Sequence, residues 1–431
     1  MIIDYQYLRP QKAQWLREMY AEPFDLDKKL DIWRGINATI LPLREEGRGP
    51  YRFGLGGVVD ENGDAVALSA IETRVGAGYP FENSTYRDEK VVYCGYLINH
   101  WGHFLAESVS RLWFALESKE EVDKYVFYLQ ENEQREIKGN FREFLELIGI
   151  WDKTEFINTP TTYREVIVPQ NAFLLMGYSS AQFREIFDTV AQRIQIQPDW
   201  KPLDKIFFTR SQFAKGNNLD FGVEVLDSFF RNNGYAILAP ETISLSEMIY
   251  YIRNAQEIAT ISGTVHHNIL FANNGQKITI MERLIVNIDY QVGINQLKDL
   301  DVTYVDANFN IGAVSMIGPF MMGYNHILQR YMEDHHMNPP DAVYTSEAYR
   351  NRCFKQYMRS YWDNYRYRWH MDSENAGYLL ALYEAYKDSY PYFREYLDGD
   401  RPFLKEHYFQ IHYWKQLIKR ILRKIKVLPQ G

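Results

Sequence analysis

Four short apolar runs between residues 205 and 281 are separated by three stretches of helical periodicity, and this alternation restricts the chain more than any other feature. The run KIFFT at 205–209 has strand length. In 220–232, Phe221, Val225, Phe229 and Phe230 recur at helical spacing, and Asn233-Gly234 ends the pattern. YAIL at 235–238 reads as a strand. A helix follows at 244–254, with Ser244 as N-cap and Glu247 three residues on. A strand at 257–262, a helix opening at 267–272 and the strand KITIM at 277–281 complete a β-α-β-α-β-α-β order. Strands alternating with helices make a parallel open sheet, and ligands of such sheets bind beyond the carboxyl ends of the strands.

The same alternation reaches back through the first block, to about residue 195. After a polar, helix-like opening, strands are expected at 65–71, 91–98, 125–129 and 165–168, with helices at 102–117 and 140–147. Gln197-Pro198-Asp199-Trp200-Lys201-Pro202 reads as a linker, because two closely spaced prolines break any helix. The expectation is an α/β protein of two Rossmann-like lobes facing a cleft. Residues 1–195 form one lobe, 196–325 the second, and 326–431 a helical, aromatic extension.

Charge divides the chain unevenly. Of 48 basic and 56 acidic residues, six basic ones and no acid lie at 411–431, leaving 42 basic against 56 acidic in the other 410. A body this acidic argues against nucleic acid, since counterion release needs a basic footprint. In the tail, Ile411, Trp414, Leu417, Ile418, Ile421, Leu422, Ile425 and Leu428 form an apolar stripe beside Lys415, Lys419, Arg420, Arg423, Lys424 and Lys426. That pattern suits a helix lying on an anionic membrane surface; it also suits a final helix packed on the acidic body. The opening residues lack the apolar core of a signal peptide, and no run of about 18 apolar residues occurs. The two cysteines, Cys94 and Cys353, have no metal-binding spacing. A cytoplasmic protein held peripherally at the inner membrane face is the expected setting.

Four constellations carry chemistry. His103, Glu107 and Arg111 are spaced i, i+4, i+8 just after the 91–98 strand, and Asn99 and His100 precede them. A carboxylate one turn from an imidazole can fix its tautomer, or be tuned by it, for base catalysis. The same spacing also fits a surface ladder from Glu107 to Arg111. Gly263, Thr264, His267 and Asn268 form a strand–Gly–helix turn whose N–H groups suit a phosphate or diphosphate; an ordinary capped loop reads alike. Arg210 leaves the 205–209 strand towards the same crevice, followed by Lys215 and Asn217. Glu282, just past KITIM, could accept from ribose hydroxyls, and Arg283, Asn287 and Gln291 follow it as cleft-lining candidates.

VVYCGYLINHWGHFLAESVSRLW, KIFFTRSQF and GYAILAPETISLSEMIYYIRNAQEIATISGTVHHNILF together resemble the family 61 glycosyltransferases, and more closely their bacterial capsular-polysaccharide branch. The likeness covers roughly 90–305 and rests on GHFxxE, FFTR and GTxxHN in that order. It implies a GT-B-like fold, a nucleotide-sugar donor and inversion at the anomeric carbon, with no metal and no other cofactor. His103 and Glu107 match the family's base-bearing pair, and Arg210, Gly263, Thr264, His267 and Asn268 match its donor-binding positions. Many eukaryotic members read HGA-like at that turn and this chain does not, so donor identity does not transfer. The expectation is sugar transfer to a hydroxyl of a glycan acceptor, with Glu107 as base assisted by His103. A lipid-linked acceptor would be met at the membrane. A nucleotide-sugar epimerase, a glycoside hydrolase or a non-catalytic glycan-binding or nucleotide-binding subunit remain alternatives.

Overall fold

The computed structural model describes residues 1–360, apart from 22–24, 46, 48, 72–73, 175–176, 214–218, 284–288, 310–318, 347, 351, 354–355 and 358–359. Lys215, Asn217 and Asn287 lie outside the described residues, as does the extension beyond 360 with its basic stripe.

The second sheet follows the alternation closely. Its six strands run, edge to edge, Ala236–Leu238, Lys205–Phe208, Glu257–Ile261, Lys277–Met281, Asp301–Val305 and Ile3–Tyr7, all parallel. Ser244 caps the helix Leu245–Asn254, accepting the Glu247 N–H at 3.2 Å. The chain leaves Lys205–Phe208 in one direction and returns past it to Glu257–Ile261 on the other side. These two strands therefore flank a topological switch point, where the loops diverge and open a crevice.

The N-terminal boundary differs from expectation. Ile3–Tyr7 is the edge strand of this second sheet, so the opening residues do not belong wholly to the first lobe. The helix Pro10–Ala21 then brings Lys12 to Glu282 and Asp306, at 2.6 and 3.3 Å, all three buried. Buried charges need such partners, and this set ties the N-terminus down.

The first sheet is mixed rather than doubly wound throughout. Its order is Val75–Ala77, Gly54–Val59, Ile32–Arg44, Thr161–Pro169, Thr85–Tyr96, Lys124–Tyr128 and Thr154–Ile157. The last four are mutually parallel, whereas Ile32–Arg44 runs antiparallel to both neighbours. The expected strand at 65–71 is a short 3₁₀ turn, Ala67–Ser69, held by Ser69 Oγ donating to the Val66 carbonyl at 2.7 Å. The expected helix at 102–117 is broken into a helical turn Trp101–His103, a π-helical turn Phe104–Ser108 and a last helix Trp113–Glu117.

One continuous apolar core spans both sheets, joining Val92 and Phe127 of the first to Ile206 and Ile258 of the second. Phe187 and Phe144, on the helices Ala181–Gln192 and Asn140–Ile148, reach across to Phe271 with ring centroids 5.3 and 6.3 Å away. Charge fastens the same flank. Glu143 accepts from the N–H groups of Leu245 and Ser246, at 3.0 and 2.8 Å, capping a helix of the other lobe. Asp188 takes Arg253 at 2.6 Å and Lys298 at 2.9 Å. Burial pushes the Lys298 ammonium down to about 8, with Asp188 opposing the shift.

Candidate functional site

The two lobes meet where the carboxyl end of Thr85–Tyr96 faces the Gly263 turn. After that strand, Ser108 Oγ accepts the Ile98 N–H at 3.0 Å and donates to the Tyr96 carbonyl at 2.8 Å, stitching the following turn to the strand end. Phe104 and Leu105 are fully buried, and Phe104 packs on Phe141 and Phe144 with centroids 4.9 and 5.4 Å away. The Val109 N–H reaches back five residues to the Phe104 carbonyl at 3.1 Å. Such π turns often occur at functional sites.

This turn brings His103 Nδ1 to 2.8 Å from one Glu107 oxygen, while Arg74 Nε donates to the other at 3.1 Å. Glu107 is only 8% exposed, so both its oxygens are engaged inside the wall. Phe53 meets the His103 ring edge-on at 5.7 Å. Arg111 is not part of this group. It is buried over the Tyr93 ring, donating to the carbonyls of Pro169 and Ala70, so the Glu107–Arg111 ladder is not formed. The π turn rotates Arg111 off the face that regular helical spacing assigns it.

Asn99 and His100 are exposed at the strand exit. The His100 pKa is pushed down to about 4, by desolvation first, then by His103, with Arg210 and Arg52 adding to it. His100 Nε2 lies 3.3 Å from the Thr264 hydroxyl of the other lobe. Next to it, the Trp101 indole N–H donates to Asn268 Oδ1 at 2.7 Å. A Cβ on Gly102 would sit 2.9 Å from the His267 ring. The facing walls therefore touch here rather than standing apart across an open cleft.

The turn itself is differently wired from the expected phosphate cradle. Gly263 has φ 122° and ψ −163°, a conformation open essentially to glycine alone. Its N–H donates to His266 Nδ1 at 2.6 Å, leaving Thr264 and Val265 to present theirs at the head of the 3₁₀ helix Thr264–Phe271. His267 and Asn268 are buried at the lobe junction. Burial, then His103, pushes the His267 pKa down to about 3, so its ring is neutral at physiological pH.

Arg210 lies just past the strand Lys205–Phe208. Thr209 Oγ1 donates to Asp227 at 2.5 Å and accepts the Ser211 N–H at 3.0 Å, which fixes the loop around Arg210. Arg210 Nε then donates to Asp220 at 2.9 Å, and Arg283 Nη1 donates to the other Asp220 oxygen, also at 2.9 Å. Burial acts to raise the Asp220 carboxyl, but the two guanidiniums outweigh it and hold it below its usual range. Arg283, not its neighbour Glu282, faces the turn; Glu282 is buried on Lys12 and is not open to a ribose. Gln291 is buried as well, donating to Asn295 at 2.6 Å. Sequence reasoning missed Arg74 and Asp220 altogether. Arg283 was expected only as a cleft-lining residue after Glu282, yet of the two it is the one against the turn. No group of three or more His, Cys, Asp or Glu among the described residues is placed to hold a metal.

The chain is thus an α/β protein of two parallel-rich sheets, with an imidazole–carboxylate pair on one wall of the lobe junction and two arginines beside a switch point on the other. Residues 101–279 match the Glycosyltransferase 61 family, and that span holds His103, Glu107, Arg210, Asp220 and the Gly263 turn. The chain thus carries a glycosyltransferase family 61 domain, which supports an enzyme of sugar transfer with a sugar donor and an acceptor. No curated protein matches the chain. No helix among the described residues is long and apolar enough to cross a membrane.

Proposed function

We propose that the chain is an inverting, metal-independent glycosyltransferase that moves a sugar from a nucleotide-sugar donor to a hydroxyl of a glycan acceptor. One observation carries the reading: the oriented His103–Glu107 pair lies one turn from the His100–Thr264 contact between the lobes, and the Gly263 turn on the other side of that contact is backed by Arg283, which shares Asp220 with Arg210. Glu107 accepts from His103 Nδ1–H and is itself held by Arg74, so the proton-accepting nitrogen of a neutral His103 is Nε2, across the ring from Glu107. His103 Nε2 takes the acceptor's hydroxyl proton, and Glu107 stabilises the imidazolium that results. The acceptor oxygen bonds to the anomeric carbon as the bond to the diphosphate oxygen breaks, and the electron pair leaves with the diphosphate. Arg210, the Thr264 and Val265 N–H groups and, behind them, Arg283 meet the charge that grows there. The base role expected of Glu107 passes in this reading to His103, because both Glu107 oxygens are occupied.

The GT-B-like arrangement, the capsular or exopolysaccharide setting and a place at the cytoplasmic membrane face are part of the same reading. The first is drawn from the two α/β sheets, the second from the sequence likeness of residues 90–305, and the third from the basic stripe at 411–431. The test is nucleoside diphosphate release from a panel of nucleotide sugars, with and without glycan acceptors. Release that depends on acceptor supports transfer. Release without acceptor points to hydrolysis, and donor binding with no release to a binding subunit. EDTA should leave turnover unchanged, since arginines neutralise the leaving group; activity lost and restored by Mn or Mg overturns the metal-independent part.

A further inference from the structure

We propose that Asp220 is the positioning residue of the donor diphosphate site, setting the spacing of Arg210 and Arg283 through its two carboxylate oxygens. This rests on the nucleotide-sugar reading above. Arg210 follows the strand Lys205–Phe208 and Arg283 follows Lys277–Met281, so the Gly263 turn at the end of Glu257–Ile261 lies between them. Asp220 reaches the pair from a third direction, on the two-residue strand Asp220–Phe221, which pairs with Phe320–Met321. Both bonds are 2.9 Å, and the side chains of Arg210, Asp220 and Arg283 are 11%, 9% and 8% exposed.

Two guanidiniums share the Asp220 carboxylate, and all three side chains are largely shielded from water. Burying charge is costly unless a partner balances it. That cost is visible at Arg283, which burial pushes down to about 10. A diphosphate carries enough charge to engage both the arginine fork and the helix head.

Asp220 also divides the work of the two cations. It takes Arg210 by Nε, so the two terminal nitrogens of that guanidinium point away from the carboxylate as a fork. Arg283 is held on every side instead. Its Nη1 is on Asp220, its Nε donates to the Ser262 carbonyl at 2.5 Å, and its guanidinium lies 4.0 Å over the Phe320 ring. Its Nη2 occupies the space a Cβ on Gly263 would need. Arg210 is thus aimed at ligand while Arg283 props the turn. With Asp220 gone, the two like charges repel and both functions are lost together.

The experiment measures binding of UDP, GDP and CDP, and of the matching monophosphates, to the full chain by calorimetry. The wild-type chain should prefer one diphosphate over its monophosphate by about tenfold or more. Asp220→Asn should erase that preference while leaving monophosphate affinity within about twofold. Should Asn cost the fold, Asp220→Glu decides: it keeps the charge, places it one methylene further out and should also erase the preference. Asp188→Asn, which breaks an ion-pair set on the far flank, should lower the melting temperature and keep the preference. A folded Asp220→Glu or Asp220→Asn chain that still prefers the diphosphate overturns the role given to Asp220 and leaves the donor reading standing. A wild-type chain that prefers no diphosphate overturns both.

Discussion

The two walls that meet at the lobe junction are built in opposite ways. The first-lobe wall gathers its residues within five positions: His103 ends one helical turn, Glu107 sits on the π-helical turn that follows, and they need only Arg74 from elsewhere. The second-lobe wall gathers residues from three distant places, Arg210, Asp220 and Arg283, and from a glycine turn between them. The local wall handles a proton. The assembled wall handles charge that spreads over a large leaving group. The difference teaches that a proton needs one well-aimed nitrogen, whereas a diphosphate needs several donors at fixed spacing, which only a sheet edge with diverging loops provides.

The sharpest way to break this contrast is to remove the proton acceptor. His103→Ala should lower kcat by about 10²–10⁴-fold with donor affinity unchanged. Glu107→Gln should lower kcat less, since the imidazole remains but loses its orienting carboxylate. If Glu107→Gln is instead the more damaging change, the base is Glu107 and His103 is its partner.

Arg210→Ala acts on the other wall and should show the complementary split. Donor affinity should fall about 10–100-fold, the worth of a charge-assisted bond, and kcat should fall as well because the charge grows during departure. Steady-state kinetics with the donor varied give both values. Unchanged donor KM and kcat would place Arg210 outside the site.

Gly263→Ala tests whether the assembled wall is as tightly fitted as its geometry says. The new Cβ meets the Arg283 guanidinium, at a φ that alanine rarely adopts. Strain of this kind costs about 3 kcal/mol, and the folded fraction in urea titrations should report it. A variant as stable as wild type would mean that Arg283 moves freely, and the spacing argument for the turn would fail with it.

The sequence revealed these walls unequally, and the reason is physical. Lys277–Met281 and the Ser244-capped helix were legible because strand and helix periodicity are local properties of side-chain spacing. His103 and Glu107 were legible as a pair for the same reason. Arg74 and Asp220 were not, since each meets its partner through a tertiary contact and no local rule links their positions. Ile3–Tyr7 pairs with a strand about 300 residues away, so its lobe was likewise invisible. The long antiparallel strand Ile32–Arg44 was missed because it carries polar and glycine residues that weaken the apolar alternation. Arg111 misled because a π turn shifts the register that helical spacing assumes.

The smallest expected effect concerns the neutral histidines where the walls touch. His267 is 5% exposed, and its folded pKa is about 3 against about 6.5 for an unfolded histidine. Between these values the unfolded chain binds a proton that the folded chain refuses. Stability is therefore full above about pH 6.5 and is lost on acidification, at up to about 1.4 kcal/mol per pH unit for this one group. Between pH 6.5 and 5 the loss from His267 alone comes to about 2 kcal/mol. His266, buried and pushed well below its usual range, acts in the same direction. Urea midpoints at pH 7 and pH 5 should separate accordingly, and His267→Asn should reduce the separation by roughly a third, with His266 and His100, whose pKa is also pushed down, supplying the rest. A pH dependence identical in wild type and variant would mean that the His267 ring charges freely in the folded chain. The contact between Gly102 and the Gly263 turn would then have to be looser than the packing of the two walls requires.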